Sequence, residues 1–212
     1  MTAENRPILF FDWDGTIADS MPLCFAEVRA AIRQMGLPMP PDELIVACNG
    51  PTQEESVDVL HIPHERAEEY LKARREAEMA LIPSTIKLFP GIREVLDRLR
   101  QAADLMIVSN GYQEYVAYSA ECTGLGGYFK RIEAAKHGRT KAQAIGELIA
   151  EYRPRKAAMA GDRLGDIESG LANALPTAAA CYGYGFPEEW QKATAQVKTV
   201  EELGDVLMGW IA

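Results

Sequence analysis

Short apolar runs bounded by polar turn residues recur along this chain, and they indicate strands buried on both faces. These runs cover residues 8–11, a stretch that starts at 104, and residues 129–135, 156–161 and 176–181. Amphipathic helical patterns separate the later runs, and one over 200–211 closes the chain. Alternating strands and helices predict an α/β fold with a doubly wound parallel sheet.

The stretch from 17 to 86 has no strand pattern. Its apolar spacing and breakers predict helices over 22–36, 42–47, 52–60 and 64–80. An all-helical insert that directly follows the first strand is best explained as a lid over the end of that strand. We therefore expect an α/β core formed by 1–16 and 87–212, and a helical cap domain formed by 17–86, with linkers near 16–21 and 83–90.

Two carboxylates follow the first buried strand, because the run ends at Asp12, Trp13 and Asp14. The carboxyl ends of parallel strands are where open α/β sheets hold ligands, so both side chains should line a crevice. A carboxylate can attack phosphorus at neutral pH, whereas a leaving alkoxide needs a proton from a neighbouring acid. Such close carboxylates also repel each other, and a divalent cation would relieve that repulsion.

Three later segments of the chain also carry polar groups at the end of a predicted strand or at the start of a predicted helix. Ser109 and Asn110 follow the second strand, and a helix predicted over 113–122 would aim its N-terminal amides at the same edge. Lys141 sits in the first turn of a helix that Thr140 could cap, which is unfavourable for a cation without an anionic partner.

The fourth strand ends in an acidic segment that contains Asp162 and Asp166. Oxygen ligands without nearby His or Cys suit magnesium.

The segment Asp12 to Ser20 resembles the nucleophile motif D-x-D-G-T-[LIV]-x-D-[ST] of the haloacid dehalogenase superfamily of hydrolases. It matches that motif at every defined position. The resemblance implies that Asp12 is the nucleophile that forms an aspartyl-phosphate and that Asp14 is the general acid and base. It extends to the cap, which members of the helical-cap phosphatase subgroup insert between their first and second motifs.

The remaining motifs of that family match in order along the chain. The resemblance implies that Ser109, with Asn110 beside it, binds the phosphoryl group, and that Lys141 pairs with the nucleophile; Lys136 is the alternative lysine. The family's G-D-x-x-x-D motif is matched by Asp162 and Asp166, although Arg163 replaces the small or hydroxyl residue that is usual there. The implied cofactor is Mg²⁺, and the predicted metal residues are Asp12, Asp14, Asp162 and Asp166.

The composition and charge of the chain limit the kinds of partner that it can bind. The 212 residues carry a net charge of −9 with a pI near 4.9, which argues against non-specific binding to nucleic acid or anionic membrane. The first residues lack a signal sequence and no run approaches the length of a membrane span, so we expect a cytoplasmic protein. Nothing in the sequence indicates the oligomeric state.

The resemblance implies a magnesium-dependent phosphatase that acts on a small phosphorylated metabolite, either phosphoglycolate or a sugar phosphate. Asp14 argues against dehalogenase and phosphonate-cleaving relatives, which lack this acid. A phosphomutase of the beta-phosphoglucomutase type stays open, although residues 50–55 lack the arginine of similar mutases. A phospho-acceptor signalling domain is the alternative from another class, and it would carry its motifs in the reverse order.

Overall fold

The structure is a computed structural model that describes residues 6–134 and 138–212. Its main sheet has six parallel strands in the order β5-β4-β1-β6-β7-β8, and β2 and β3 form a separate antiparallel pair. The strands are β1 (Ile8–Phe11), β2 (Ala18–Asp19), β3 (Lys87–Leu88), β4 (Asp104–Val108), β5 (Arg131–Glu133), β6 (Ala157–Gly161), β7 (Thr177–Ala180) and β8 (Ala195–Val197).

Nine α-helices and one short 3₁₀ helix, His64–Arg66, accompany these strands within the described ranges. The α-helices are α1 (Met21–Gln34), α2 (Asp42–Ala47), α3 (Glu55–Val59), α4 (Ala67–Thr85), α5 (Ile92–Ala102), α6 (Gln113–Cys122), α7 (Lys141–Tyr152), α8 (Leu164–Ala172) and α9 (Val200–Ile211). None of the helices in the described part of the chain combines the length and the apolar character that a membrane span requires.

The central strand β1 is buried on both faces, which explains its uninterrupted apolar sequence. Leu9 and Phe11 belong to a core cluster that includes residues of α5, α6 and α9. Ile8 and Phe10 point to the opposite face and pack in a second cluster with residues of α7. Helices thus cover both faces of a parallel sheet, and the predicted doubly wound α/β fold is confirmed.

Helices α1 to α4 belong to the helical segment, which we define as residues 17–86. This segment has its own apolar cluster, in which Val28, Ile45 and Tyr70 are fully buried. At its base, Ala18 pairs with Leu88 and Asp19 pairs with Lys87 in the two-stranded β2–β3 ribbon. The expectation that no strand occurs between 17 and 86 is therefore wrong at β2. A strand of two residues is too short to show a periodic pattern.

Other elements also differ from the sequence-based expectation. The strand predicted over 129–135 spans only Arg131–Glu133, and its predicted end at 135 lies outside the described residues. Strand β8 was not predicted, because it lies at the sheet edge and only Val197 of its three residues is buried. Helix α4 continues to Thr85 rather than ending near Ala80, and it includes Pro83 in its last turn. The division of the chain into a core and a cap domain stays a prediction.

Candidate active site

Three strands of the sheet end beside one another and deliver the polar residues of the site. Asp12 follows β1, Ser109 follows β4 and Asp162 follows β6, and β1 pairs with both of the other strands. A cavity of about 340 Å³ opens at this edge. The residues from the predicted site that line the cavity are Asp12, Asp14, Ser109, Asn110, Lys141 and Asp166.

Lys141 bridges two of the carboxylates. Its Nζ donates to Asp12 Oδ1 at 3.0 Å and to Asp166 Oδ1 at 2.6 Å. Burial alone would lower the pKa of Lys141, but the charges of Asp12 and Asp166 outweigh it and raise that pKa, so the amine stays charged. Thr140 caps the helix and accepts from the Gln143 amide at 3.2 Å, as expected. The alternative Lys136 lies outside the described residues.

Asp12, Asp162 and Asp166 form a buried carboxylate cluster, in which one oxygen from each residue lies within 4.8 Å of the others. Burial and the charge of Asp166 raise the pKa of Asp12 to about 7. Asp162 Oδ2 accepts from the Tyr184 amide at 2.8 Å, whereas Asp162 Oδ1 has no hydrogen-bond donor among the described residues. A buried carboxylate oxygen without a donor is costly, and a hard cation would remove that cost. These residues therefore fit magnesium.

Two glycines allow this close packing of carboxylates. A Cβ at Gly15, where φ is +78°, would lie 2.3 Å from Asp162 Oδ2. A Cβ at Gly161 would lie 2.2 Å from the Asp166 Cβ. Both sequence motifs consequently need glycine for the close approach of an acidic side chain, and Gly15 also provides the positive φ of its turn.

Asp14 has a different environment, because its side chain is not part of the carboxylate cluster. Its Oδ1 accepts a hydrogen bond from the Tyr115 hydroxyl. Burial raises the pKa of Asp14, although hydrogen bonds from Ser20 and Tyr115 oppose the shift. A raised pKa suits a carboxyl group that must hold and release a proton. Sequence reasoning missed Tyr115, since a tyrosine two positions inside a helix carries no local signal of a role.

Ser109 and Asn110 occupy the loop after β4. Ser109 Oγ accepts from the Gly111 amide at 3.0 Å, and Asn110 Nδ2 donates to the Gly50 carbonyl at 3.0 Å. The latter contact joins the sheet edge to the loop between α2 and α3 in the helical segment. Ser109 therefore keeps its hydroxyl at the cavity, while Asn110 already has a partner.

Arg163, which replaces the small or hydroxyl residue usual in this motif, lies at the same junction between the sheet edge and the helical segment. Its guanidinium donates to the Asn49 carbonyl and pairs with Glu189, with 2.9 Å between Arg163 Nε and Glu189 Oε2. A Cβ at Gly50 would lie 2.7 Å from Arg163 Nη1, so the loop passes very close to the arginine. Arg163 thus lines the cavity and ties the helical segment to the α/β core.

The helical segment contributes a polar wall to the cavity. Arg74 donates to Glu27 Oε1 from Nε at 2.9 Å and from Nη2 at 2.7 Å, and its Nη1 donates to Ser56 Oγ at 2.8 Å. Gln53 Nε2 donates to Glu78 Oε1 at 2.9 Å. The sequence alone singles out none of these residues, because they lie on separate elements and no motif or spacing links them.

Burial and the charge of Glu27 raise the pKa of Glu78 to about 9, well above the ordinary 4.5. The stability that Glu78 contributes is thus fully present below about pH 4.5 and is lost as the pH rises towards 9. We expect Glu78→Gln, which removes this ionisation, to reduce the loss of stability over that range by up to about 1.4 kcal/mol per pH unit. Urea unfolding of both proteins from pH 5 to 9, with chelator present, measures the difference. Parallel pH profiles would contradict the assignment.

The fold and this site define an α/β protein that gathers acidic and cationic groups at the carboxyl edge of its sheet. The sequence matches the haloacid dehalogenase-like hydrolase family over residues 9–180. This match covers most of the chain, so the chain belongs to that family, and the expectation of a hydrolase of this family is confirmed.

Individual relatives extend the comparison. Tyrosine-protein kinase PtkA of Mycobacterium tuberculosis is 28% identical over 214 residues, which cover 96% of this chain and 73% of that protein. A phosphoglycolate phosphatase of Aquifex aeolicus is 28% identical over 185 residues, which cover 84% of this chain and 85% of that enzyme.

Solved structures share the fold. A haloacid dehalogenase-like family hydrolase of Streptococcus pneumoniae superposes with a TM-score of 0.86 at 21% identity, covering 98% of this chain and 100% of that chain. The structure of PtkA from M. tuberculosis gives a TM-score of 0.80 at 26% identity and covers 96% of this chain and 99% of that chain.

Proposed function

We propose that this chain is a magnesium-dependent phosphatase that hydrolyses a small phosphate monoester through an aspartyl-phosphate at Asp12. The observation that carries the proposal is the lysine bridge: Lys141 holds Asp12 by a 3.0 Å hydrogen bond at the end of β1, inside a cavity of about 340 Å³. A fixed, buried carboxylate next to a permanent cation is suited to attack a phosphoryl group whose negative charge the same cation offsets.

The first half-reaction forms the intermediate. A carboxylate oxygen of Asp12 attacks phosphorus as the bond from phosphorus to the ester oxygen breaks, and Asp14 gives its proton to the departing alkoxide. Tyr115, which donates to Asp14 Oδ1, fixes the orientation of that acid. Lys141 and the Ser109 hydroxyl bind the phosphoryl oxygens as the charge shifts.

The second half-reaction returns the enzyme to its starting state. Asp14, now ionised, accepts a proton from a water molecule as that water attacks phosphorus. The bond from phosphorus to Asp12 breaks, inorganic phosphate leaves, and Asp14 is protonated again. Asp12, Asp162 and Asp166 would hold magnesium, which supplies charge neutralisation for the carboxylates and the phosphoryl group when bound.

Hydrolysis is favoured over mutase chemistry by the loop at Gly50. Residues 50–55 contribute no cation to the cavity, and the two arginines nearby, Arg74 and Arg163, are already paired with Glu27 and Glu189. A mutase needs free cations for the second phosphate of its bisphosphate intermediate. The names of several relatives point to phosphoglycolate as a substrate, and a sugar phosphate is the other candidate from the sequence.

Phosphoryl transfer to a tyrosine side chain is a second candidate, because the PtkA relative aligns with 96% of this chain. The same aspartyl-phosphate would then pass its phosphoryl group to a phenol rather than to water. The kinase would take its phosphoryl group from ATP and pass it to a phenol, whereas the phosphatase takes it from a phosphate monoester and passes it to water, so the donor and the product separate the two candidates.

The test is phosphate release, with magnesium, from phosphoglycolate, hexose 1- and 6-phosphates, nucleoside monophosphates and amino-alcohol phosphates. We expect release from one or a few of these esters. Conversion of a hexose 1-phosphate into the 6-phosphate would contradict the proposal in favour of a mutase. Absence of release together with labelling of tyrosine by [γ-³²P]ATP would contradict it in favour of a kinase.

A further inference from the structure

The helical segment forms one wall of the cavity, and the positive charge of this wall is already paired with a carboxylate. Among the described residues of the segment that line the cavity, Arg74 is the single cation. The residue is 4% exposed, and its guanidinium donates two hydrogen bonds to Glu27 and one to Ser56 Oγ. The charge of Arg74 is therefore balanced by Glu27, and the described residues of this wall leave no unpaired cation to neutralise an anionic group of a substrate.

The other polar side chains of this wall offer acceptors. Asn49, Gln53 and Glu78 are each more than nine-tenths buried and line the cavity. Among them, Asn49 Oδ1 and Gln53 Oε1 receive no hydrogen bond from the described residues. Buried oxygens without donors are costly, and a ligand that brings O–H or N–H groups relieves this cost.

The charge balance of the wall also disfavours a negatively charged leaving group. Glu27 balances the charge of Arg74, and Glu78, whose pKa is raised to about 9, is uncharged at neutral pH, so the wall has no net positive charge. A carboxylate on the substrate would be buried beside this wall without a cation to balance its charge, which is costly. The cations on the core side are also committed, since Lys141 binds Asp12 and Asp166, and Arg163 binds Glu189.

We infer that the substrate is a phosphate monoester whose alcohol part carries hydrogen-bond donors, as hydroxyl or ammonium groups, and no negative charge. This inference rests on the proposed phosphatase function and narrows its substrate. The helical segment accepts hydrogen bonds from the leaving group at Asn49 and Gln53, and this wall rejects esters with an acidic alcohol part such as phosphoglycolate.

Four two-carbon esters of matched size isolate the group that matters. They are phosphoethanolamine with an ammonium, 2-hydroxyethyl phosphate with a hydroxyl, ethyl phosphate with neither, and 2-phosphoglycolate with a carboxylate. We expect kcat/KM for the two donor-bearing esters to exceed that for ethyl phosphate by about tenfold, the effect of a hydrogen bond to a charged or buried partner. Phosphoglycolate should be the poorest of the four, and comparison of the first two esters shows whether ammonium or hydroxyl is preferred.

The outcomes separate this inference from the proposed function. Efficient hydrolysis of phosphoglycolate, at or above the rate of 2-hydroxyethyl phosphate, would overturn the inference and leave the phosphatase intact. Equal kcat/KM for all four esters would also overturn it. Failure to hydrolyse any ester in these four or in the wider panel would contradict the phosphatase itself.

A pair of glutamine variants tests the wall directly. Gln53→Met keeps the length of the side chain but removes its oxygen, and Gln34→Met makes the same change at an exposed position. We expect the ratio of kcat/KM for phosphoethanolamine to that for ethyl phosphate to fall about tenfold in the first variant and to stay constant in the second. Because the ratio cancels any general loss of activity, an unchanged ratio in Gln53→Met would overturn the role of Gln53.

Discussion

Replacing Asp12 with Asn should reduce phosphate release by at least about 10⁴-fold, the usual consequence of removing a nucleophile. A neutral amide is a poor nucleophile for phosphorus, and the substitution also removes one of the three carboxylates that fit magnesium. The measurement is kcat/KM on the best substrate of the ester panel, in saturating magnesium.

The same substitution should leave the fold intact. Asparagine has the size of aspartate, and Lys141 keeps its 2.6 Å hydrogen bond to Asp166. The ionised Asp12 is unfavourable without metal, since burial and Asp166 raise its pKa to about 7, so the variant should be at least as stable as the parent in chelator. The exposed Asp58→Asn is the matched control and should retain activity. Near-normal turnover by the Asp12 variant would contradict the assignment of Asp12 as the nucleophile.

Removing divalent cations with a chelator should lower the rate by at least about 10³-fold, and added Mg²⁺ should restore it. The three clustered carboxylates repel one another and the phosphoryl group, and a bound cation is worth several kcal/mol in such a site. The rate is measured by titrating Mg²⁺ into metal-free protein.

A binding measurement tests the same site without catalysis. Mg²⁺ should raise the melting temperature of the parent protein, because a ligand that binds only the folded state stabilises it. Asp162→Asn changes the residue whose Oδ1 lacks a donor, and it should weaken or remove that rise. Full activity in chelator, or an equal rise in both proteins, would contradict the proposed metal residues.

The polar residues at the carboxyl edge of the sheet could be predicted from local sequence. Each predicted polar residue of the core follows a buried apolar run or starts a helix, and the topology of a parallel sheet brings such positions to one edge. Asp12, Ser109 and Lys141 could therefore be named before any distance was known. Their actual contacts, such as the bridge from Lys141 to both Asp12 and Asp166, depend on side-chain positions that no spacing specifies.

The wall of the helical segment could not be predicted in this way. Arg74 and Glu27 are 47 positions apart, and Gln53 and Glu78 are 25 apart, so no periodicity links the partners. The buried side of helix α4 was also hard to recognise, because it carries the charged residues Arg74 and Glu78 next to Tyr70. A helix with charged residues on its buried face lacks the apolar stripe from which burial is predicted.

The proposed mechanism requires that Asp12 becomes phosphorylated during turnover. The direct measurement is to quench the enzyme with acid during steady-state hydrolysis, reduce it with borohydride, and sequence the peptides by mass spectrometry. Borohydride converts an aspartyl-phosphate into homoserine. We predict homoserine at position 12, dependent on substrate and magnesium, and none at Asp14. Phosphate release without modification of Asp12, or with homoserine at another aspartate, would contradict the account.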